Sequence, residues 1–252
     1  MPAPARSLAH ARLCHAARRL CAAPAQTAQS GRDHACRRCR GFGSSSRRAR
    51  LYPGLRRKDG MTVRDRVRWD RYYRSLSDFA YPDPDPLLYD YTPPVLIHGQ
   101  RERPRALDLA CGVGQNGIWL ATQGYSVDLL DISREALHIA QLQAMMLQAR
   151  TVNFMQVDLD EVALKPEAYD LVIVFRYMRR ELFPRLHECV RPGGRVIYAT
   201  FNMNYLDHKP DFNTEYLLYP GELSGYFTDW HVLHDRDAAY TSEIVAIKPE
   251  NA

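Results

Sequence analysis

The 252-residue chain has no apolar run of the roughly 18 to 20 residues that a membrane span needs, so no membrane partner is expected. Cysteine is scarce after residue 60, where only Cys111 and Cys189 occur. Two isolated cysteines make no disulfide framework, and a reducing, cytoplasmic setting is the expectation. Acid is nearly missing from residues 1 to 60, where thirteen Arg and one Lys face only Asp33 and Asp59, a net charge of +12. Because the whole chain carries +5, the remainder is acidic at −7. That larger part has no basic stripe for a duplex, so no nucleic-acid partner is expected.

Residues 1 to 60 are rich in Ala, Arg, Pro, Gly and Ser and have too little apolar periodicity to offset the entropy of ordering. A disordered basic extension is expected there, read either as a transit peptide or as translated upstream sequence before a true start at Met61. Cys36-Arg-Arg-Cys39 with His34 has the look of half a zinc site, but a second closely spaced ligand pair is lacking. Pro82-Asp-Pro-Asp-Pro86 has acids without metal-ligand spacing, so no metal is expected.

From residue 61 to 252 the pattern is that of one domain. Val63 to Leu76 reads as an amphipathic helix, and the prolines between Pro82 and Pro94 forbid a long element after it. Strands are predicted over 106–110, 126–130, 152–157, 171–175 and 195–201, with helices over 115–123, 133–150 and 179–190 between them and Ser133 as an N-cap. Pro192-Gly193-Gly194 marks a turn. Alternation at this spacing requires a mostly parallel sheet covered on both faces. Two final strands, 230–234 and 240–248, are too close for a parallel crossover and form an antiparallel hairpin at the sheet edge. In the long helix Leu137, Ile139, Ala140, Leu142, Met145, Met146 and Ala149 are expected to face the core, with His138 and the glutamines in water.

The segment Ala106-Leu-Asp108-Leu-Ala110-Cys111-Gly112-Val-Gly114-Gln-Asn-Gly117 carries the chemistry. Gly112 and Gly114 fall between a buried strand and a helix, where a tight turn lets a nucleotide-like ligand approach the backbone. A dinucleotide site would place a pyrophosphate there, and Asp108 would repel it; the carboxylate suits a cationic ligand instead. Asp131 closes the second strand, where it can accept from two ribose hydroxyls. Asp158 follows the third strand, placed to accept from an adenine amino group between Ile132 and Leu159. Three acids at successive strand ends outline one adenosyl cofactor.

At these residues the chain resembles the class I S-adenosylmethionine-dependent methyltransferases, over essentially all of 61 to 252. The narrower resemblance is to a bacterial small-molecule group that includes tellurite-resistance-type enzymes. It rests on Trp69-Asp70-x-x-Tyr73-Arg74, Phe175-Arg-Tyr177-Met-Arg-Arg180-x-Leu-Phe-Pro184, Tyr198-x-Thr200-Phe201 and Tyr219-Pro-Gly-Glu222-Leu223. Ala110 departs from the family, which more often has glycine there. The resemblance implies an α/β fold: a Rossmann-like, seven-stranded, mostly parallel sheet with an antiparallel C-terminal edge hairpin and helices on both faces. It implies S-adenosyl-L-methionine as methyl donor, a small-molecule or metalloid acceptor, and a monomer or homodimer. Cofactor binding then falls to Asp108, Ala110, Gly112, Gly114, Asp131, Ile132, Asp158, Leu159 and Phe175, with Trp69 and Tyr73 closing as a lid. Arg176 and Tyr177, after the fourth strand, are the substrate-side candidates, followed by Thr200, Phe201 and Asn202. His208 is read as a surface residue and Cys111 as a small buried one. Two other readings are a non-catalytic adenosyl-nucleotide-binding protein and an NAD-linked oxidoreductase.

Overall fold

A computed structural model describes residues 63–76, 80–95 and 102–250. The N-terminal extension and its cysteine pair lie outside the described residues. Those described all fall in one compact unit, Asp59–Ala252.

Seven strands form a single sheet in the order β3-β2-β1-β4-β5-β7-β6. Strands β1 (Arg105–Leu109), β2 (Ser126–Asp131), β3 (Val152–Gln156), β4 (Tyr169–Phe175) and β5 (Val190–Phe201) run parallel. Strands β6 (His231–Asp237) and β7 (Thr241–Ile247) are antiparallel, and β7 lies inside, between β5 and β6. The central strands are β-branched and leucine-rich runs, and almost every residue of β1, β2 and β4 is buried.

Helices α1 (Val63–Arg74), α2 (Pro86–Tyr91), α3 (Gln115–Thr122) and α4 (Arg134–Met146) precede or connect the first strands. Leu88 of α2, Ile118 and Leu120 of α3, and Leu137 and Ala140 of α4 pack with Leu171, Ile173 and Val245 on one face. On the other face α5 (Leu182–Cys189) packs Leu182, Phe183 and Leu186 against Val172, Val174 and Tyr198. Phe227 and Trp230, from the β5–β6 connection, complete that layer, and α6 (Glu222–Gly225) lies in the same connection. Among the described residues no helix is long and apolar enough to cross a membrane.

The structure corrects several sequence expectations. In α4 the inward stripe is Ala136, Leu137, Ala140 and Ala144. Small alanines let the helix lie close on the sheet, and Leu142, Met145 and Met146, off that stripe, are 50%, 75% and 78% exposed instead of core. The helix also stops at Met146, short of residue 150. The predicted helix over 179–190 begins only at Leu182. The Pro192-Gly193-Gly194 turn is an excursion within β5, since the pairing with β4 passes from Val190 directly to Arg195. The proline stretch holds no long element, as expected, but Pro86 does start the short helix α2. Asp85 caps it by accepting from Leu87 N–H at 3.1 Å, and proline at the first helical position lacks only a donor that would be unused there.

Candidate active site

The turn after β1 is built on left-handed backbone. Gly112 and Gly114 have φ of +56° and +76°, and a Cβ on Gly114 would lie 2.6 Å from Leu129 Cδ2, in the core. Ala110 takes φ +53° with a side chain present, a conformation that costs an L-residue about 1 to 2 kcal/mol. The turn folds back so that Gly112 N–H donates to Asp131 Oδ2 at 2.8 Å. The other oxygen of Asp131 accepts from Ser133 N–H at 2.8 Å. Asp108, one strand over, accepts from Gly117 N–H at 2.9 Å and so ties β1 to the first turn of α3.

Both carboxylates are buried, at 2% exposure for Asp108 and 7% for Asp131. Burial pushes Asp108 up to about 8 against the Gly117 bond, with the Asp131 charge adding to the rise. Burial likewise pushes Asp131 up to about 6 against the Ser133 and Gly112 donors. Two buried acids side by side form an acceptor set that, once ionised, suits a cation and hydroxyl donors, which fits a methionine ammonium and a ribose.

Helix α1 lies across this turn. The Tyr73 hydroxyl would be 2.8 Å from a Cβ on Gly112, so glycine is required there on steric grounds as well. Burial and then the Asp131 charge hold the Tyr73 phenol well above its usual range. Trp69 packs edge-on to Tyr72, which in turn packs on Tyr73. The sequence reading missed what fastens this helix. Asp70 Oδ1 accepts from Ser133 Oγ at 2.7 Å and from Glu135 N–H at 3.3 Å, at the N-terminus of α4. Arg74 adds an ion pair to Glu135 at 2.8 Å, largely exposed and worth little by itself.

Asp158 lies two residues beyond β3 and uses one oxygen on Asp160 N–H at 2.9 Å, a local turn. Val157 N–H donates to Asp131 O at 3.0 Å, which keeps this loop beside Ile132, and both Ile132 and Leu159 are buried. Thus Asp108, Ala110, Gly112, Gly114, Asp131 and Tyr73 converge on one turn, with Ile132, Asp158 and Leu159 along its β3 side.

The two substrate-side candidates part company. Phe175 ends β4 on the same face as α2 and α3. Arg176 follows with φ +58°, its N–H fixed to Ala199 O at 2.8 Å, and its exposed guanidinium acts on Tyr73 and Asp85. Tyr177 turns to the opposite face, against the Leu159 and Leu182 cluster, in the field of Asp160 and Arg179. Thr200 and Asn202 are buried, and Asn202 caps its own loop through Asn204 N–H. Phe201 stacks on Tyr205 at 4.2 Å, while His208 lies beside Tyr205 and Tyr240. A cavity of about 460 Å³ between α4 and β3, lined by Leu137, His138 and Phe154, is on the far flank from Arg176.

A methyltransferase-domain family matches residues 106–194, which hold the turn, Asp108, Asp131, Asp158 and Arg176. Over that stretch the chain is similar to methyltransferase domains. It is also similar to a ubiquinone biosynthesis O-methyltransferase of Alkalilimnicola ehrlichii, 34% identical over 128 residues that make up 48% of this chain and 51% of the relative. The chain thus spans about half the length of that curated relative. Among solved structures, an S-adenosylmethionine-dependent methyltransferase from Mesorhizobium loti superposes with a TM-score of 0.53 at 18% identity, covering 65% of this chain and 96% of the other. TehB from Haemophilus influenzae gives 0.50 at 17% identity, with 64% of each chain covered. These likenesses establish the fold of the methyltransferase domain as the one the sequence led us to expect.

Proposed function

We propose that the protein transfers a methyl group from S-adenosyl-L-methionine to a small-molecule acceptor. The observation that carries this reading is the pair of buried acids, Asp108 and Asp131, at adjacent strand ends on either side of the Gly112 turn. Asp131 keeps lone pairs for two ribose hydroxyls while its present bonds fix its orientation, and Asp108 meets the methionine ammonium. Ile132 and Leu159 flank the adenine, with Asp158 at its edge. Tyr73 and Trp69 cover the methionine end and exclude water. The bound cofactor supplies an electrophilic methyl on a sulfonium, and the chain contributes positioning and desolvation to the in-line displacement.

The O-methyltransferase relative puts a hydroxyl first among the acceptor atoms, ahead of sulfur or a metalloid. Arg176, exposed at the mouth, suits an acceptor with an anionic group. The place of Tyr177 on the opposite face favours a supporting role beside the Asp158 loop over contact with the acceptor. A cytoplasmic monomer or homodimer completes the reading, with no nucleic acid or membrane as partner.

Calorimetry with S-adenosylhomocysteine tests it. Asp131→Ala removes two charge-assisted hydrogen bonds and costs about 1.5 to 3 kcal/mol or more of binding, with the fold kept. Wild-type affinity in this variant would overturn the assignment.

A further inference from the structure

The proline-rich stretch that the sequence reading set aside leads back to the site. Tyr81 OH donates to Val113 O at 2.9 Å, and Asp85 N–H donates to Asn116 Oδ1 at 2.8 Å, so this segment hangs from the turn and from the first turn of α3. Asn116 is buried and adjoins Gly117, the residue held by Asp108. From Asp85, α2 runs down the sheet until Tyr91 O meets Arg195 near the start of the straight part of β5. Asp85 is therefore at the upper rim, on the face where β4 and β5 end. Arg176 from the end of β4 and Glu243 from β7, opposite Ala199, both act on its carboxyl. One of its oxygens accepts from Leu87 N–H; among the described residues the other has no hydrogen-bond partner.

On the reading proposed above, we infer that Asp85 faces the transferred methyl from the acceptor side and takes the proton of the acceptor's nucleophilic atom. Asp85 removes a proton from that hydroxyl, thiol or selenol as the atom's lone pair forms the new bond to carbon; the carbon–sulfur pair stays on sulfur. The sulfonium charge is thereby cancelled and the proton rests on Asp85, to be lost to water afterwards. Burial raises the Asp85 carboxyl above the ordinary aspartate range, which makes it a better proton acceptor when ionised; the Leu87 N–H bond and then the Arg176 charge favour that ionised form, and Glu243 opposes it.

The test needs no acceptor. Sinefungin carries an amine-bearing carbon where the cofactor has its methylated sulfur, so its ammonium probes what faces the methyl. Wild type is expected to bind sinefungin at least as tightly as S-adenosylhomocysteine. Asp85→Asn, which keeps the helix cap, should lose about tenfold or more on sinefungin and less than threefold on S-adenosylhomocysteine, with an unchanged melting temperature. Asp85→Ser, a second capping residue, should repeat this and serves if the Asn variant fails to fold. Equal losses on both ligands, or no loss on either, would overturn the inference. Failure of wild type to bind either ligand would instead overturn the cofactor reading, and this inference with it.

Discussion

Asp108 shows how a single carboxyl can report on its ligand. Burial leaves it at about 8 in the free protein, so at pH 7 it holds its proton. A methionine ammonium placed beside it would favour the charged form, and the proton must leave on binding. Titration of S-adenosylhomocysteine at pH 7 in buffers of different ionisation enthalpy should therefore show net proton release, smaller in Asp108→Asn; buffer-independent heats would argue against the contact. Local features of this kind were legible in the sequence. Gly112 and Gly114 between strand and helix, the acid closing β2, and Ser133 as a cap accepting from Ala136 N–H all depend on residues a few positions apart. Asp70 and Asp85 were not legible, because their partners Ser133 and Asn116 are 63 and 31 residues away and no periodicity links them.

At the scale of elements, two motifs noted separately in the sequence turn out to be halves of one joint. Arg180, just before α5, pairs with Glu222 at the start of α6 through Nε–Oε1 at 2.7 Å and Nη2–Oε2 at 2.9 Å. Arg180 also donates to Leu217 O at 3.1 Å, while Tyr226 OH and Tyr219 N–H donate to Glu222, each at 2.9 Å. This joint fixes the β5–β6 connection on α5, where Tyr226 stacks on Phe183 at 3.7 Å. Burial raises the Glu222 carboxyl, but Arg180 and the other donors more than offset it and hold the group below the ordinary glutamate range. Its stabilisation is therefore complete above the range in which an unfolded glutamate titrates and is lost as pH falls through the lower folded value. Arg180→Ala strands a carboxylate whose side chain is 8% exposed and should cost about 2 kcal/mol, measured by urea unfolding at pH 7. The mutational loss should shrink in acid, and an equal loss at pH 7 and well below pH 4 would contradict the account. The sequence pattern located the four longer helices and missed the short α2 and α6, and it misjudged α4 because apolar periodicity alone cannot tell which of two stripes the sheet will meet; alanine spacing decided it.

For the whole molecule, a mostly parallel sheet closed by an antiparallel hairpin was legible in the alternation of apolar segments, and the structure agrees; the strand order was not, because alternation does not say which edge each strand joins. The charge break at residue 60 supports a further expectation, that the working domain needs nothing before Met61. A chain beginning at Met61 should melt within about 2 °C of the full chain, whereas a loss of more than about 1 kcal/mol would mean that the basic extension packs on something. The order of the last strands has a consequence on the ribosome. Because β7 sits between β5 and β6, a nascent chain that has just released β6 has no neighbour for it, and β5 still presents a bare apolar edge. The half of the sheet carrying Asp108, Asp131 and the turn can pair as it emerges, but the floor beneath Asp85 closes only when residues 241–247 are free. Synthesis thus finishes the Asp108 and Asp131 side of the sheet before the Asp85 side, and until β7 emerges that open edge is where a chaperone or another nascent chain would add.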